Sequence, residues 1–149
     1  MAYSLTAALA LGAASAAFGM TVDHRTQMDH RHGPVAVTYR GDVAIQHRQV
    51  GTTAPGGRSA SLRCDWAASM TVARHAKAAT GASHSRSVDS GPVLSGTRPG
   101  WCSANHAAIR QEVAGRASEM HRHLVAFAQQ DDAELRAELD HAYGMQRSG

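Results

Sequence analysis

Aromatic residues, lysine and cysteine are all scarce in this chain of 149 residues. Aromatics make up 5% of the sequence, Lys77 is the single lysine, and there are two cysteines. Because large side chains are few, we expect a handful of them to supply much of the bulky packing. The candidates are Trp66, Trp101, Tyr39 and Phe127. A chain of this length predicts one domain with a modest core.

The chain also lacks a strong charge imbalance. Fifteen Lys and Arg stand against twelve Asp and Glu, which gives a formal net charge of +3. The basic residues do not form a stripe interleaved with aromatics, as a surface that follows a phosphate backbone would. We therefore expect no nucleic-acid binding, and a partner that is an unidentified macromolecule or a component of the cell envelope.

Short catalytic signatures are missing too. There is no His-Glu-x-x-His and no Gly-x-Gly-x-x-Gly after a strand, and the string 81–85 has serine where a nucleophile elbow needs its second glycine. Two carboxylate pairs, Asp131 with Asp132 and Glu134 with Glu138, are typical of a solvated helix face. We predict no enzymatic activity, with no catalytic residues. An unrecognised hydrolase is the third hypothesis, because triads assemble from distant positions.

One long uncharged apolar run exists, and it lies at the N-terminus. Residues 5–18 are rich in Ala and Leu and end among small residues. This pattern is typical of a secretory signal peptide over 1–17, although no Lys or Arg precedes it; an apolar disordered tail is the alternative. The run is too short to span a bilayer. We predict a periplasmic or secreted protein without a transmembrane segment after signal cleavage.

The clearest pattern in the chain is an alternation over residues 62–72. Its even positions are apolar or small and its odd positions are mostly polar, which predicts a half-buried antiparallel strand. The inward set is Leu62, Cys64, Trp66, Ala68, Met70 and Val72. Residues 34–50 share this period, and we prefer one long strand with a bulge or bend at Gly41 over a hairpin with a loop at 40–42. A weaker third strand covers 83–90, and Val93-Leu94 extends an edge.

The C-terminal third follows a helical period instead. Apolar residues recur at three- and four-residue intervals and predict one amphipathic helix over about 103–143. The stripe comprises Ile109, Val113, Ala117, Met120, Leu124, Phe127, Leu135, Leu139 and Ala142. It lacks a large residue between Phe127 and Leu135, so residues 129–132 are the predicted place for a bend.

The two cysteines connect these elements. Cys64 lies on the inward face of the predicted strand and Cys102 at the start of the helix, and an even count in an exported protein predicts one disulfide. The predicted fold is therefore α+β: a small antiparallel sheet of about three strands over 34–96, with one long C-terminal amphipathic helix packed across one face and joined to it by a single disulfide. Residues 34–149 form that single domain.

Histidine is the compositional oddity, with ten copies. Residues 18–33 read as a flexible His-rich arm, in which His24, His30, His32 and Met28 are possible ligands for Cu, Ni or Zn. A periplasmic metal-binding protein using these residues is the alternative hypothesis. The leading hypothesis is a non-enzymatic binding or interaction module without a cofactor. His47 and His75, near the ends of neighbouring strands, are expected to meet as a surface pair.

Overall fold

The computed structural model describes residues 19–57 and 61–148. The predicted signal peptide at 1–17 lies outside the described residues. The elements in chain order are β1 (Gly19–His30), β2 (Gly33–Val50), a 3-10 turn (Pro55–Gly57), β3 (Arg63–Ala78), β4 (Ser83–Pro99), α1 (Cys102–Gly115) and α2 (Ala117–Arg147).

The four strands form one antiparallel sheet in the order β1-β2-β3-β4. The expectation of about three strands is too low, because the predicted flexible arm contains β1. Its Val22 lies opposite Gly41 and its Met28 opposite Val35 on β2, and both side chains are buried. The alternation was hard to see in the sequence because His24 and Thr26 occupy the inward positions between these two apolar side chains.

The long second strand is confirmed, since β2 runs without interruption through Gly41. Gly41 is not a bulge: a Cβ atom built there would lie 2.7 Å from Sδ of Met70, so glycine leaves room for the methionine. The irregularity in the sheet lies instead between β3 and β4, at Ala68–Thr71. The weak strand and the edge segment predicted after residue 83 are one continuous strand, β4.

The inward face of β3 is the floor of the core. All six predicted inward residues of this stretch, from Leu62 to Val72, are buried. The same face continues to Arg74, Ala76 and Ala78, which are also buried. Trp66 is 3% exposed, whereas Trp101 is 54% exposed and the expectation that it packs in the core is wrong.

Two helices cover this face rather than one. The predicted helix is broken at Arg116, directly after Gly115, and α2 extends to Arg147. Glycine is a poor helix former and weakens the helix at this point. No break occurs at 129–132, because α2 is continuous across those residues. Helix α1 lies over β2 and β3, and α2 lies over β1 and β2.

The disulfide between Cys64 and Cys102 is confirmed, with an S–S distance of 2.06 Å and a Cα–Cα distance of 4.8 Å. Gln49 reinforces it: its Oε1 accepts the Cys102 backbone N–H at 2.7 Å and its Nε2 donates to the carbonyl of Gly100 at 3.2 Å. The start of α1 is thus held to the sheet by a covalent bond and by hydrogen bonds. Over the described residues, neither helix has the length and apolar content needed to cross a bilayer.

Candidate functional site

The two edges of the sheet differ in how they are protected. The edge strand β4 contains Pro92 and Pro99, a glycine with positive φ at Gly91, and the register irregularity. Strand β1 is 12 residues long and has no proline, no lysine and no glycine beyond Gly19. Within residues 19–57 and 61–148, only β2 pairs with it. Prolines and bulges are two of the features that keep an edge strand from pairing with another chain. Strand β1 has neither, although it carries Asp23, Arg25 and Asp29, and Arg136 of α2 donates to the Asp29 carbonyl at 2.7 Å.

A groove opens between β1 and α2. The inward positions Val22 and Met28 are buried, yet Thr26, which shares their face, is exposed. The sheet and α2 therefore separate at Thr26, and the space between them is about 400 Å³. Its apolar floor is formed by Met28, Val37 and Leu135, and its polar rim by Thr26, Gln129 and Asp132. The groove and the open edge of β1 adjoin one another.

A buried charged cluster lies beside the groove and shares Tyr39 with it. The Tyr39 hydroxyl donates to Oδ2 of Asp131 at 2.9 Å. Arg74 Nη1 donates to both carboxylate oxygens of Asp131, each at 2.9 Å, and its Nη2 donates to Glu138. Arg74 is 3% exposed and Asp131 5% exposed. This cluster joins β2 and β3 to the middle of α2.

The cluster continues outward to solvent through Arg86 on β4. Its guanidinium pairs with Glu134 and Glu138 on α2, and the hydrogen bond with Glu134 is the main reason that the pKa of Arg86 is raised. Burial, followed by the hydrogen bond to Asp131, raises the pKa of Tyr39. The Tyr39 hydroxyl therefore stays protonated and acts as a hydrogen-bond donor, which fits a structural role.

The four predicted metal ligands do not converge. His24 and His30 are six residues apart on one strand, or about 20 Å. The His24 ring lies 6.3 Å from Tyr39 and 5.9 Å from His121, and Met28 is buried in the groove floor. Among the described residues, no group of three or more His, Cys, Asp or Glu is placed to hold a metal ion.

His30 and His32 do come together, against the end of α2. The two rings stack on Tyr143 with centroid distances of 5.6 and 4.1 Å. His30 Nε2 is 2.9 Å from Oδ1 of Asp140, and its Nδ1 accepts the His32 backbone N–H at 3.4 Å. Chiefly through the hydrogen bond from His30, the pKa of Asp140 is lowered. These contacts fasten the β1–β2 turn to α2.

His47 and His75 are not neighbours. The register places Trp66 opposite His47 and Thr38 opposite His75. His75 instead lies 2.8 Å from the hydroxyl of Ser85 on β4, and His47 faces His106 on α1 with 4.3 Å between ring centroids. The predicted surface pair is therefore wrong, because in this antiparallel pair His47 lies near the end of β2 that leads into β3, whereas His75 lies near the opposite end of β3.

The buried cluster was not predicted, although two signals for it were present in the sequence. Extending the alternation of 62–72 by one step places Arg74 on the inward face. Asp131, four residues from both Phe127 and Leu135, fills the gap in the apolar stripe of the helix. The interpretation of the carboxylates as a solvated face is wrong for Asp131, which is buried. Glu138 is partly exposed and pairs with Arg74.

The chain was also compared with known proteins. No protein-family model, no curated protein and no solved structure matches it.

Proposed function

We propose that this protein is an exported, non-enzymatic binding module that holds an extended segment of another polypeptide along β1. In this proposal the segment adds to the sheet as a fifth strand and inserts one large uncharged side chain into the groove beside Thr26. The observation that carries the proposal is that an edge strand without proline or bulge, β1, lies directly beside a groove.

The difference between the edges supports strand addition at β1. An added strand obtains its affinity from main-chain hydrogen bonds and its specificity from pockets that accept alternate side chains. Prolines and the irregularity disfavour such pairing at β4. The first 12 residues described in the structure thus present the more favourable edge for a partner.

The lining of the groove favours a large, uncharged side chain of the partner as the determinant of specificity. A strand added about 4.8 Å beyond β1 would place an inward-facing side chain level with Thr26. The floor residues there, Met28 and Leu135, are 4% and 1% exposed and offer apolar contact. Asp132 is the only carboxylate among the described residues that line the groove. It is already paired with Arg136 at 2.8 Å, so it gives little attraction for a charged side chain.

Export is the second part of the proposal. It is supported by the Cys64–Cys102 disulfide, since such bonds persist in oxidising compartments and are rare in the cytosol. The apolar run at residues 5–18 supports it as well. Mass spectrometry of the protein recovered from its native cell tests this part, with a free N-terminus near residue 18 expected.

Selection from a library of linear peptides tests the binding proposal. The oxidised protein is immobilised, and enriched peptides are expected to alternate apolar and polar residues around one large uncharged side chain. Thr26→Lys places a charge in the groove and is expected to weaken binding of an enriched peptide by about tenfold or more, or about 1.4 kcal/mol. The matched control is Ser95→Lys, which adds the same charge at an exposed position on β4.

Three outcomes would contradict the proposal. The first is equal weakening by Thr26→Lys and Ser95→Lys. The second is a peptide pattern with no alternation. The third is a dimer, detected by light scattering, that Thr26→Lys abolishes, because a second copy of the chain would then occupy the edge. Turnover of ester, peptide or glycoside substrates by the purified protein would support the hydrolase hypothesis instead.

A further inference from the structure

Two histidines outside the groove face each other across the layers of the fold. His47 lies on β2 and His106 on α1, and both are exposed. Their ring centroids are 4.3 Å apart with an interplanar angle of 45°. The binding proposal above makes no use of this pair.

The separation of the rings suits two ligands of one metal ion. A metal–nitrogen bond of about 2.0–2.1 Å places each imidazole centroid about 3.2 Å from the ion. Two rings in adjacent coordination positions, at about 90–109°, then have centroids about 4.5–5.2 Å apart. The observed 4.3 Å is within a few tenths of an ångström of that range, so small side-chain rotations bring both rings onto one ion.

The backbone around the pair is held in place independently of any metal. His106 lies one helical turn after Cys102, and His47 lies two residues before Gln49. Gln49 is opposite Cys64 in the register, and it also accepts the Cys102 backbone N–H. The disulfide and this hydrogen bond therefore hold the backbone segments that carry the two histidines close to one another. A preformed site costs less ordering when the metal binds.

Arg110 on α1 is near enough to His47 to act on it electrostatically. Its positive charge opposes a bound cation, so the site favours ions that bind imidazole most strongly.

We propose that His47 and His106 form a two-imidazole site for a divalent transition-metal ion, with Cu(II) preferred over Ni(II) and Zn(II). Water molecules complete the coordination. The bound ion links β2 to α1 and stabilises the docking of α1 on the sheet. This site uses none of the residues first considered as ligands on the N-terminal segment.

Titration of the untagged, oxidised chain with Cu(II) and with Zn(II) tests the site. Calorimetry is expected to give one equivalent of the tightest site, and the melting temperature is expected to rise with added metal. His47→Gln and His106→Gln should each weaken this site by about tenfold or more, because either change leaves a single ligand in place of a chelate. His75→Gln and His32→Gln are the controls and should leave it unchanged.

Paramagnetic broadening keeps the test decisive if a variant is unstable. In the wild-type protein, substoichiometric Cu(II) should broaden the imidazole resonances of His47 and His106 first. The proposal is overturned if His32, His30 or His24 broadens first, or if the tightest site survives in both glutamine variants. It is equally overturned if neither metal binds more tightly to the wild-type protein than to the His47→Gln variant.

Discussion

Removal of one member of the buried Arg74 cluster should destabilise the protein far more than replacement of the whole cluster. Arg74→Met leaves the Asp131 carboxylate buried with only the Tyr39 hydroxyl as a partner among its present contacts. Removal of one partner of a buried ion pair costs roughly 3–5 kcal/mol. Asp131→Asn should cost less, because Arg74 keeps its contact with Glu138. A domain of this kind has a total stability of roughly 5–15 kcal/mol.

The triple variant Tyr39→Phe, Arg74→Met, Asp131→Leu removes every buried polar group of the cluster at once. Folding of this variant no longer removes the Arg74 and Asp131 charges from water. In other proteins, replacement of a buried ion pair by apolar residues of similar volume is neutral or stabilising by about 1–4 kcal/mol. The triple variant should therefore be markedly more stable than Arg74→Met alone, despite carrying two more substitutions.

Urea unfolding monitored by far-ultraviolet circular dichroism measures these differences. Arg40→Met is the control: Arg40 pairs with Asp42 on the exposed face of β2, with side chains 60% and 61% exposed. Its cost should be about 0.5 kcal/mol or less. Two results would refute this prediction: a cost for Arg74→Met no greater than that of Arg40→Met, or a cost for the triple variant equal to the sum of its three single substitutions.

The remaining predictions concern the disulfide, one close contact and one ion pair. Replacement of Cys64 and Cys102 by alanine should lower the unfolding free energy by about 4 kcal/mol by the loop-entropy estimate for a separation of 38 residues; an unchanged urea midpoint would contradict it. Gly96→Ala should lower the unfolding free energy by about 1–3 kcal/mol in the same assay, because the added Cβ would lie 2.8 Å from the Trp66 ring. Gly144→Ala is the control: its Cβ meets open space, so this change should stabilise α2 by up to about 1 kcal/mol. The pKa of Asp140 is lowered from 3.8 in the folded protein, so the unfolded chain takes up this proton first as the pH falls. The stability that Asp140 contributes is therefore complete above pH 3.8 and is lost below it; a difference in stability between wild type and Asp140→Asn that persists undiminished to about pH 2 would exclude this effect.

The parts of the fold predicted correctly are those in which local pattern and tertiary role agree. The alternation of 62–72 and the apolar stripe of the helices each reflect a single buried face, and both were identified. The disulfide followed from the placement of Cys64 and Cys102 on those faces. Such patterns are reliable because a buried face requires an apolar residue at each turn of a helix and at every second residue of a strand.

The parts that were missed depend on contacts distant in sequence. In strand β1 only Val22 and Met28 are buried. Other residues of the strand line the groove or contact α2 near the β1–β2 turn, so they do not follow an apolar alternation. Arg74 is tolerated on an apolar face only because Asp131, 57 residues away, neutralises it. The pairing of His47 with His106 requires both the register of β2 and the position of α1. None of these relations is a property of a local segment.

The most direct test of the proposed function is a set of intermolecular nuclear Overhauser effects between an enriched peptide and the isotopically labelled protein. The account predicts contacts from the peptide backbone to β1 between Asp23 and Asp29, and from one large side chain to Met28 and Leu135. Contacts confined to β4 or to the outer face of the sheet would contradict it.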